Sequence, residues 1–318
     1  MSKPVKWGVL GYAGIARKEV IPAMVEAQNA VPYAIASRDV GKLDTAVQTF
    51  GFAKTYQDYH ALLADPEVEA VYIPLPNALH KEWVLKAIRA GKHVLCEKPL
   101  AQTEEDCREM LNAAQQAGVL LGEAFMYRFA NRTALLKKLL NEKTIGEITS
   151  VYASHRFVLK DVKNVRVNAQ LGGGSIWDVG CYPVNIIGMI MNDEPVLICA
   201  QKVEFQNVDF ALSAVLKYPN GAICTLSCGF NGQCALLTEI NGTEGSLVLT
   251  DAFGDSNAPI QLVQNEQTTF IPVPACHRYT MEIEAFSHSI RTGEPLPYDA
   301  HEALRNTRVI NRILEAAK

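Results

Sequence analysis

Short apolar runs alternate with helix-length segments along the first 124 residues. The runs predict buried strands and are Trp7–Leu10, Tyr33–Ala36, Ala70–Ile73, His93–Cys96 and Val119–Leu121. The longer segments predict helices at Val40–Phe50, Leu79–Ala90 and Thr103–Ala117. Because strands that are apolar throughout must be covered on both faces, this half predicts an α/β fold with a doubly wound parallel sheet.

The pattern changes after a predicted helix at Ala134–Glu142. Strand-like runs follow at Val151–Leu159, Val196–Phe205, Phe210–Tyr218, Ala222–Phe230, Ala235–Ile240 and Ser246–Leu249, and helices are predicted at Ser175–Met191, Met281–Thr292 and His301–Ala317. Asparagine-glycine pairs between several of the runs are typical of hairpins. We therefore predict two domains, residues 1–124 and 125–318, the second an α+β domain with a mostly antiparallel open sheet.

The composition supports two domains and argues against several classes of protein. The 318 residues are 48% hydrophobic and 20% charged, with a formal net charge of −4. These values argue against disorder and against binding to nucleic acid or a membrane surface. No apolar stretch reaches the ~20 residues of a membrane span. The chain enters a strand pattern at Trp7 without the apolar core of a signal peptide, so we expect a cytoplasmic protein.

The cysteines lack the spacing of a metal site. They are Cys96, Cys107, Cys181, Cys199, Cys224, Cys228, Cys234 and Cys276. The sequence contains no C-x-x-C pair, and Cys224 and Cys228 lie at even spacing in one strand-like run, which puts them on one face. We predict reduced, buried thiols and no metal.

A glycine-containing turn follows the first predicted strand. Gly11 fits the first position of the dinucleotide pattern G-x-G-x-x-G/A and Ala16 fits the last, while Ala13 replaces the second glycine. In this pattern the turn approaches the pyrophosphate at the start of a helix. The residues predicted to contact the cofactor here are Gly11, Tyr12, Ala13, Gly14 and Ile15.

The end of the second predicted strand indicates which dinucleotide binds. A site that prefers NAD carries Asp or Glu there, to hold the ribose 2′-hydroxyl, but this chain has Ser37 and Arg38. A guanidinium pairs well with a phosphate dianion and a serine can donate to it, so we predict NADP(H) rather than NAD(H). An exposed surface arginine is the alternative. Asp39 is expected to cap the next helix.

Two further segments follow predicted parallel strands, at the edge where open α/β sheets bind ligands. One is Pro74-Leu75-Pro76-Asn77 with His80, and its prolines stiffen a backbone that can lie against a flat ring. The other is Glu97-Lys98-Pro99, which places the Lys98 cation at a strand end; a solvated lysine is the alternative. The residues of these segments predicted to contact the cofactor are Pro74, Leu75, Asn77, His80, Glu97 and Lys98.

The predicted helix Ser175–Met191 follows three glycines and is apolar nearly all round. Asp178, Tyr182 and Asn185 nevertheless form one polar stripe on it, at positions i, i+4 and i+7. Burying such a stripe is costly unless its groups are hydrogen-bonded or line a site. We interpret it as part of a ligand site, and a structural polar network is the alternative.

Together these motifs resemble the Gfo/Idh/MocA family of oxidoreductases along essentially the whole chain. The resemblance is carried by the Gly11 turn, by Pro74-Leu75-Pro76-Asn77 with His80, by the segment Gly91-Lys92-His93-Val94-Leu95-Cys96-Glu97-Lys98-Pro99, and by Gly172-Gly173-Gly174-Ser175-Ile176-Trp177-Asp178-Val179-Gly180-Cys181-Tyr182. It implies an N-terminal Rossmann domain and an NAD(P)-dependent oxidoreductase that acts on CH–OH groups of a sugar, polyol or vicinal diol. Tyr182 stands where many members have histidine, which indicates a branch resembling dimeric dihydrodiol dehydrogenases and NADP-dependent D-xylose dehydrogenases.

The resemblance implies that Lys98 points into the active site, and we add a hypothesis for the catalytic roles. Tyr182 would exchange a proton with the substrate hydroxyl, and Lys98 would lower the phenol pKa from its ordinary value near ~10. Asp178 would bind substrate or hold Lys98, and Arg166 and Trp177 are further candidate substrate contacts. For Arg166 an exposed surface arginine is the alternative. His155, in the alternating strand Val151–Leu159, is interpreted as a sheet residue.

Several interpretations stay open. The same residues suit a keto-sugar or dicarbonyl reductase. A non-catalytic NADP-binding sensor shares this architecture, but the presence of Lys98, Asp178 and Tyr182 disfavours it. Tyr182 and the pair Ser37-Arg38 argue against a glycosidase that uses bound NAD. We expect a small-molecule substrate, selected by loops around Lys160–Gln170 and Phe253–Pro259. One face of the C-terminal sheet is predicted to form a homodimer or higher homo-oligomer.

Overall fold

The computed structural model describes residues 3–254 and 258–318. The chain forms two compact units: residues 3–129 with 277–304, and the described part of 130–276 with 305–318. The helices are α1 (Ile21–Glu26), α2 (Val40–Phe50), α3 (Tyr59–Leu63), α4 (His80–Arg89), α5 (Glu104–Ala117), α6 (Asn131–Asn141), α7 (Cys181–Met191), α8 (Arg278–Thr292) and α9 (Glu302–Ala316). The predicted fold class, a parallel sheet followed by a mostly antiparallel one, is confirmed.

The described part of the first unit contains a parallel sheet in the order β3-β2-β1-β4-β5-β6. Its strands are β1 (Val5–Leu10), β2 (Ala30–Ala36), β3 (Lys54–Tyr56), β4 (Ala70–Ile73), β5 (His93–Glu97) and β6 (Leu121–Ala124). The chain adds strands on one side of β1 and then returns to add β4 on the other side. The carboxyl ends of β1 and β4 therefore flank the point where strand order reverses, which is where sheets of this kind bind ligands.

Local sequence explains where the helices of the first unit begin and end. The side chain of Asp39 accepts a hydrogen bond from the backbone N of Lys42 and caps α2, as predicted. Thr103 caps α5 in the same way through the backbone N of Asp106. Gly51 and Gly118 end these helices in the left-handed conformation, with φ of 73° and 66°, which costs glycine little.

The second unit contains the larger sheet. In the described residues its order is β15-β14-β13-β12-β7-β10-β9-β8, with β11 paired to β7. Its strands are β7 (Ile148–Val158), β8 (Leu197–Phe205), β9 (Val208–Lys217), β10 (Ile223–Gly229), β11 (Asn231–Ala235), β12 (Thr238–Gly242), β13 (Ser246–Leu249), β14 (Ile260–Gln264) and β15 (Gln267–Ile271). Neighbours are antiparallel except β7 and β10, which are parallel.

One face of this sheet is covered by α7. In register across β7, β10 and β9 lie Ala153, Leu226 and Ala214, all buried. A Cβ added to Gly180 would lie 2.8 Å from Sγ of Cys228, so the helical segment approaches the sheet closely. This face therefore positions the helix that carries the predicted polar stripe.

Some elements differ from the prediction. The strand predicted at Val119–Leu121 lies at β6, and the run Ala235–Ile240 is divided between β11 and β12. The short strand β3 and the polar strands β14 and β15 were not predicted, because few of their residues form an apolar pattern. Eight free cysteines are found, but Cys199 and Cys234 are exposed and Cys276 is half-buried, so the prediction that all are buried is wrong for these three.

Candidate active site

The turn after β1 brings three segments of the first unit together. The backbone N of Gly11 donates to the carbonyl of Ala36 at 2.8 Å, and the φ of Gly11 is +104°. A Cβ added there would lie 3.2 Å from Oη of Tyr59 and 3.4 Å from Cδ2 of Leu75. Gly11 therefore provides both the backbone conformation and the close approach that a cofactor-binding turn requires.

Ser37 and Arg38 stand at the end of β2, beside the same turn. The Ser37 backbone N donates to the Tyr56 carbonyl at 3.0 Å, and its buried hydroxyl accepts from the backbone N of Asp39 at 3.2 Å. Arg38 is exposed, and its charge opposes the rise that burial causes in the pKa of Tyr59. No sequence motif indicates Tyr59, but in the structure it lies near Arg38, at the end of β2.

His80 joins the two loops that follow β4 and β5. It is buried, with Nδ1 2.9 Å from the carbonyl oxygen of Pro99 and Nε2 2.8 Å from that of Leu75. A neutral imidazole can donate to only one of these oxygens. Burial lowers the pKa of His80, and the charge of Lys98 lowers it further. The structure thus places His80 as a link between loops, and its predicted contact with the cofactor stays a prediction.

The end of β5 carries Glu97 and Lys98, both half-buried. Oη of Tyr72, which is fully buried on β4, donates to Oε1 of Glu97 at 2.5 Å. The next residues are fixed as well, because the backbone N of Leu100 donates to Oε1 of the buried Glu123 at 2.8 Å. A hydrogen-bonded strand end therefore presents the Lys98 cation at the ligand-binding edge of the sheet.

These features fit a dinucleotide with a 2′-phosphate. The Tyr12 hydroxyl is buried and has no hydrogen-bond partner among the described residues, and burial raises its pKa. This leaves a neutral donor at the turn for a bound polar group. Gly11 leaves the space that a side chain would fill, and Ser37 with Arg38 supplies a hydroxyl and a cation at the end of β2. Gly14 has nothing within 4 Å of an added Cβ, so that side of the turn is open.

The second unit holds the glycine-led helical segment. Gly174 has a φ of +130°, and a Cβ there would lie 2.4 Å from Oδ1 of Asp209. The other oxygen of this buried carboxyl accepts from Oγ of Ser175 at 2.6 Å and from the backbone N of Ile176 at 2.7 Å. Burial raises the pKa of Asp209, and these two hydrogen bonds oppose the rise. Asp209, on β9, thus caps a helical segment distant in sequence.

Asp178 is paired within the second unit. Nε of Arg166 donates to its Oδ2 at 2.6 Å, with the two side chains 40% and 19% exposed. The Arg166 guanidinium also lies 5.7 Å from the ring centroid of Phe157. Arg166 therefore orients Asp178, and the roles predicted for both residues toward substrate stay predictions.

Tyr182 lies one turn further along, at the start of α7, and is 6% exposed. Its ring contacts His155 and Phe253, with centroid distances of 4.9 and 5.3 Å. Trp177 and Asn185 are buried on either side of it in sequence. The sequence predicts His155 in a strand but does not connect it to Tyr182, because no local pattern shows which helix covers that strand.

The described residues, 3–254 and 258–318, contain no group of three or more His, Cys, Asp or Glu side chains arranged to hold a metal ion. No helix in that part of the chain is both long and apolar enough to cross a membrane. Of the loop Phe253–Pro259, predicted to select substrate, residues 255–257 lie outside the described residues.

Comparison with known proteins agrees with this arrangement. The Gfo/Idh/MocA oxidoreductase family with an NAD-binding Rossmann fold matches residues 5–125, and the C-terminal domain of the same family matches residues 133–248. An NADP(+)-dependent D-xylose 1-dehydrogenase of Haloferax volcanii is 36% identical over 98% of this chain and 97% of its own.

Solved structures extend the comparison. An aldose-aldose oxidoreductase from Caulobacter crescentus superposes with a TM-score of 0.93 at 26% identity. A 3-ketoreductase from Actinomadura kijaniata, solved with NADP and TDP-benzene, gives 0.92 at 29%. Each comparison covers 99% of this chain and 98% of the other. The resemblance inferred from the motifs is confirmed, and this chain is a member of the Gfo/Idh/MocA oxidoreductase family.

Proposed function

We propose that the protein is an NADP(H)-dependent oxidoreductase that acts on a secondary hydroxyl of a sugar, polyol or vicinal diol. The observation that carries the cofactor assignment is the edge formed by Gly11, Ser37, Arg38 and Tyr59, which offers a cation and hydroxyls where an NAD site offers a carboxylate. The D-xylose dehydrogenase that resembles this chain uses NADP(+), in line with this proposal.

When bound, the nicotinamide accepts the hydride in oxidation and supplies it in reduction. Tyr182 takes the proton from the substrate hydroxyl, and its burial excludes the water that would compete for that proton. Lys98 stabilises the phenolate and donates a hydrogen bond to the reacting oxygen. Asp178, held by Arg166, binds a neighbouring substrate hydroxyl.

Reduction of a keto sugar is the second candidate. It uses the same residues with Tyr182 donating the proton, and the structural similarity to a 3-ketoreductase favours it. The two directions are separated by assaying aldoses and diols with NADP+ and keto sugars with NADPH.

The cofactor assignment is tested by fluorescence titration with NADPH and NADH. We expect tighter binding of NADPH, and we expect Arg38→Ala to weaken it about tenfold to a hundredfold while leaving NADH binding unchanged, because a hydrogen bond to a charged group contributes about 1.5–3 kcal/mol. Arg89→Ala, at an exposed arginine of the same unit, is the matched control. Preference for NADH in the parent protein would contradict the assignment.

The catalytic assignment is tested by Tyr182→Phe. We expect kcat to fall about 10²- to 10⁴-fold, the usual contribution of a general acid or base, with NADPH affinity unchanged. Tyr152→Phe, on the opposite face of the sheet, is the control. For oxidation of the substrate, Lys98→Met should also shift the acidic limb of the pH profile to higher pH, because the phenolate that accepts the proton loses the cation proposed to stabilise it. Parent-like turnover in Tyr182→Phe would refute the assignment.

We also propose that a second copy of the chain covers the sheet face opposite α7. Large apolar side chains are exposed there on adjacent strands, namely Leu197, Val203, Val215 and Ile223 at 56%, 57%, 45% and 51%. An exposed apolar surface of this kind is typical of an interface between subunits.

A further inference from the structure

Three rings of the second unit form a cluster around the phenol of Tyr182. His155 lies on β7, on the face that α7 covers, and is in register with the buried Cys228 of β10. Its ring meets that of Tyr182 edge to face, with centroids 4.9 Å apart and an interplanar angle of 63°. The sheet and the helix thus bring an imidazole against the proposed catalytic residue.

Phe253 completes the cluster. Its ring is nearly parallel to that of His155, at 15° and a centroid distance of 5.6 Å, and it also contacts Tyr182 at 5.3 Å and 52°. Phe253 is 2% exposed, whereas His155 is half-buried. The three ring centroids therefore form a triangle with sides of 4.9, 5.3 and 5.6 Å, and His155 is the more accessible of the two rings that contact Tyr182.

The segment that carries Phe253 is held in place. Arg132, buried at 6% exposure, donates through Nη1 to the carbonyl of Asp251 and through Nη2 to that of Ala258 at 2.8 Å. The backbone N of Ala252 donates to the carbonyl of Leu236 at 2.7 Å. A buried guanidinium and a backbone hydrogen bond thus fix the ring on which His155 is stacked.

We propose that His155 is a positioning residue for Tyr182. The inference rests on the proposed function, in which the Tyr182 hydroxyl exchanges a proton with substrate. Rotation of the ring about its own axis does not move the hydroxyl oxygen, which lies on the line of the Cβ–Cγ bond. The place of the hydroxyl therefore depends on the χ1 torsion and on neighbours that confine the whole ring against tilting. His155, stacked on Phe253, supplies that confinement as a flat ring and not as a base. Small displacements matter here, because a misplacement of about 1 Å can reduce a rate about 10²-fold.

The test compares His155→Ala with His155→Phe at saturating NADP(H) and substrate. We expect His155→Ala to lower kcat about tenfold to a hundredfold, with the Kd of NADPH within about twofold of the parent value. His155→Phe, which keeps a flat ring without ring nitrogens, should restore kcat to within about threefold. His288→Ala, at a surface histidine of the first unit paired with Glu294, is the matched control and should match the parent.

Two kinetic results would overturn the inference. Parent-like kcat in His155→Ala would show that the ring does not need this neighbour. A loss in His155→Phe as large as that in His155→Ala would show that the imidazole nitrogens and not the ring shape matter.

A second measurement does not depend on turnover. A tyrosine ring can flip about its own axis only when its neighbours give way, so the flip rate of Tyr182 reports how tightly they confine it. The rate is followed by NMR of protein carrying ¹³C at the tyrosine ε carbons, with the signal assigned by its loss in Tyr182→Phe. We expect a rate at least tenfold higher in His155→Ala and near the parent value in His155→Phe. An unchanged flip rate in a folded His155→Ala protein would overturn the inference. In the kinetic assay, absence of turnover in the parent protein would count against the proposed function alone.

Discussion

Glu282 offers a direct test of the energetics of the first unit. Its side chain on α8 is 1% exposed, and neither carboxyl oxygen has a hydrogen-bond partner among the described residues. Burial raises the pKa of Glu282 well above its ordinary value of 4.5, and the nearby charge of Glu97 raises it further, while Arg278 opposes the rise. Glu282 therefore keeps its proton to a higher pH in the folded protein than in the unfolded chain.

The raised pKa of Glu282 makes the stability of the folded protein depend on pH, because proton binding is linked to folding. Between pH 4.5 and the raised pKa, the folded protein keeps the Glu282 proton and the unfolded chain releases it. The contribution of this group to stability is complete below pH 4.5 and is lost as the pH rises, by about 1.4 kcal/mol per pH unit. Glu282→Gln has no such proton, so we expect its stability relative to the parent to increase as the pH is raised from 5.5 towards 7.5, by about 1.4 kcal/mol for each pH unit that lies below the raised pKa.

The assay is urea unfolding followed by tryptophan fluorescence. Trp7 is a suitable reporter, because its buried ring packs 5.4 Å from Phe286 and its Nε1 donates to Oγ of Ser287, both on α8. Trp177→Phe, in every protein compared, removes the tryptophan of the second unit. Glu105→Gln, at an exposed carboxylate of the first unit, is the control. The quantity compared is the difference in the free energy of unfolding between Glu282→Gln and the parent. A change of less than about 0.5 kcal/mol in this difference between pH 5.5 and 7.5 would refute the reasoning.

Three further predictions follow from other contacts. Asp209→Ala should lower the free energy of unfolding, measured in urea, by about 3 kcal/mol, because two hydrogen bonds to a buried carboxyl are lost. Asp209→Asn should lower it by less, and equal losses in the two variants would contradict this prediction. His80→Ala should weaken NADPH binding about tenfold in fluorescence titration by separating the loops at Leu75 and Pro99, and unchanged affinity would count against it. In sedimentation velocity, Ile223→Lys should convert a dimer to a monomer, while Val25→Lys, exposed to a similar extent in the first unit, should not.

The segments that the sequence predicted best are those whose ends are set by neighbouring residues. The bounds of α2 agree with the prediction, because the Asp39 cap and Gly51 act within one turn of the backbone they terminate. The strands β14 and β15 were not predicted, because their residues alternate weakly in polarity. They form through pairing with β13 and a turn at Asn265 and Glu266, both with positive φ.

The sequence by itself determined the two sheet classes, the family and the chemically active motifs, because periodicity and motif spacing are local properties of the chain. Only the tertiary structure decided the partners of these residues: Arg166 for Asp178, Asp209 for the helical segment at Ile176, and His155 with Phe253 for Tyr182. It also decided that residues 277–304 belong with the first unit. Contacts of this kind join residues as far apart as Lys3 and Arg291, which are separated by 288 positions. They depend on which faces pack together, and no local pattern of residues specifies that choice.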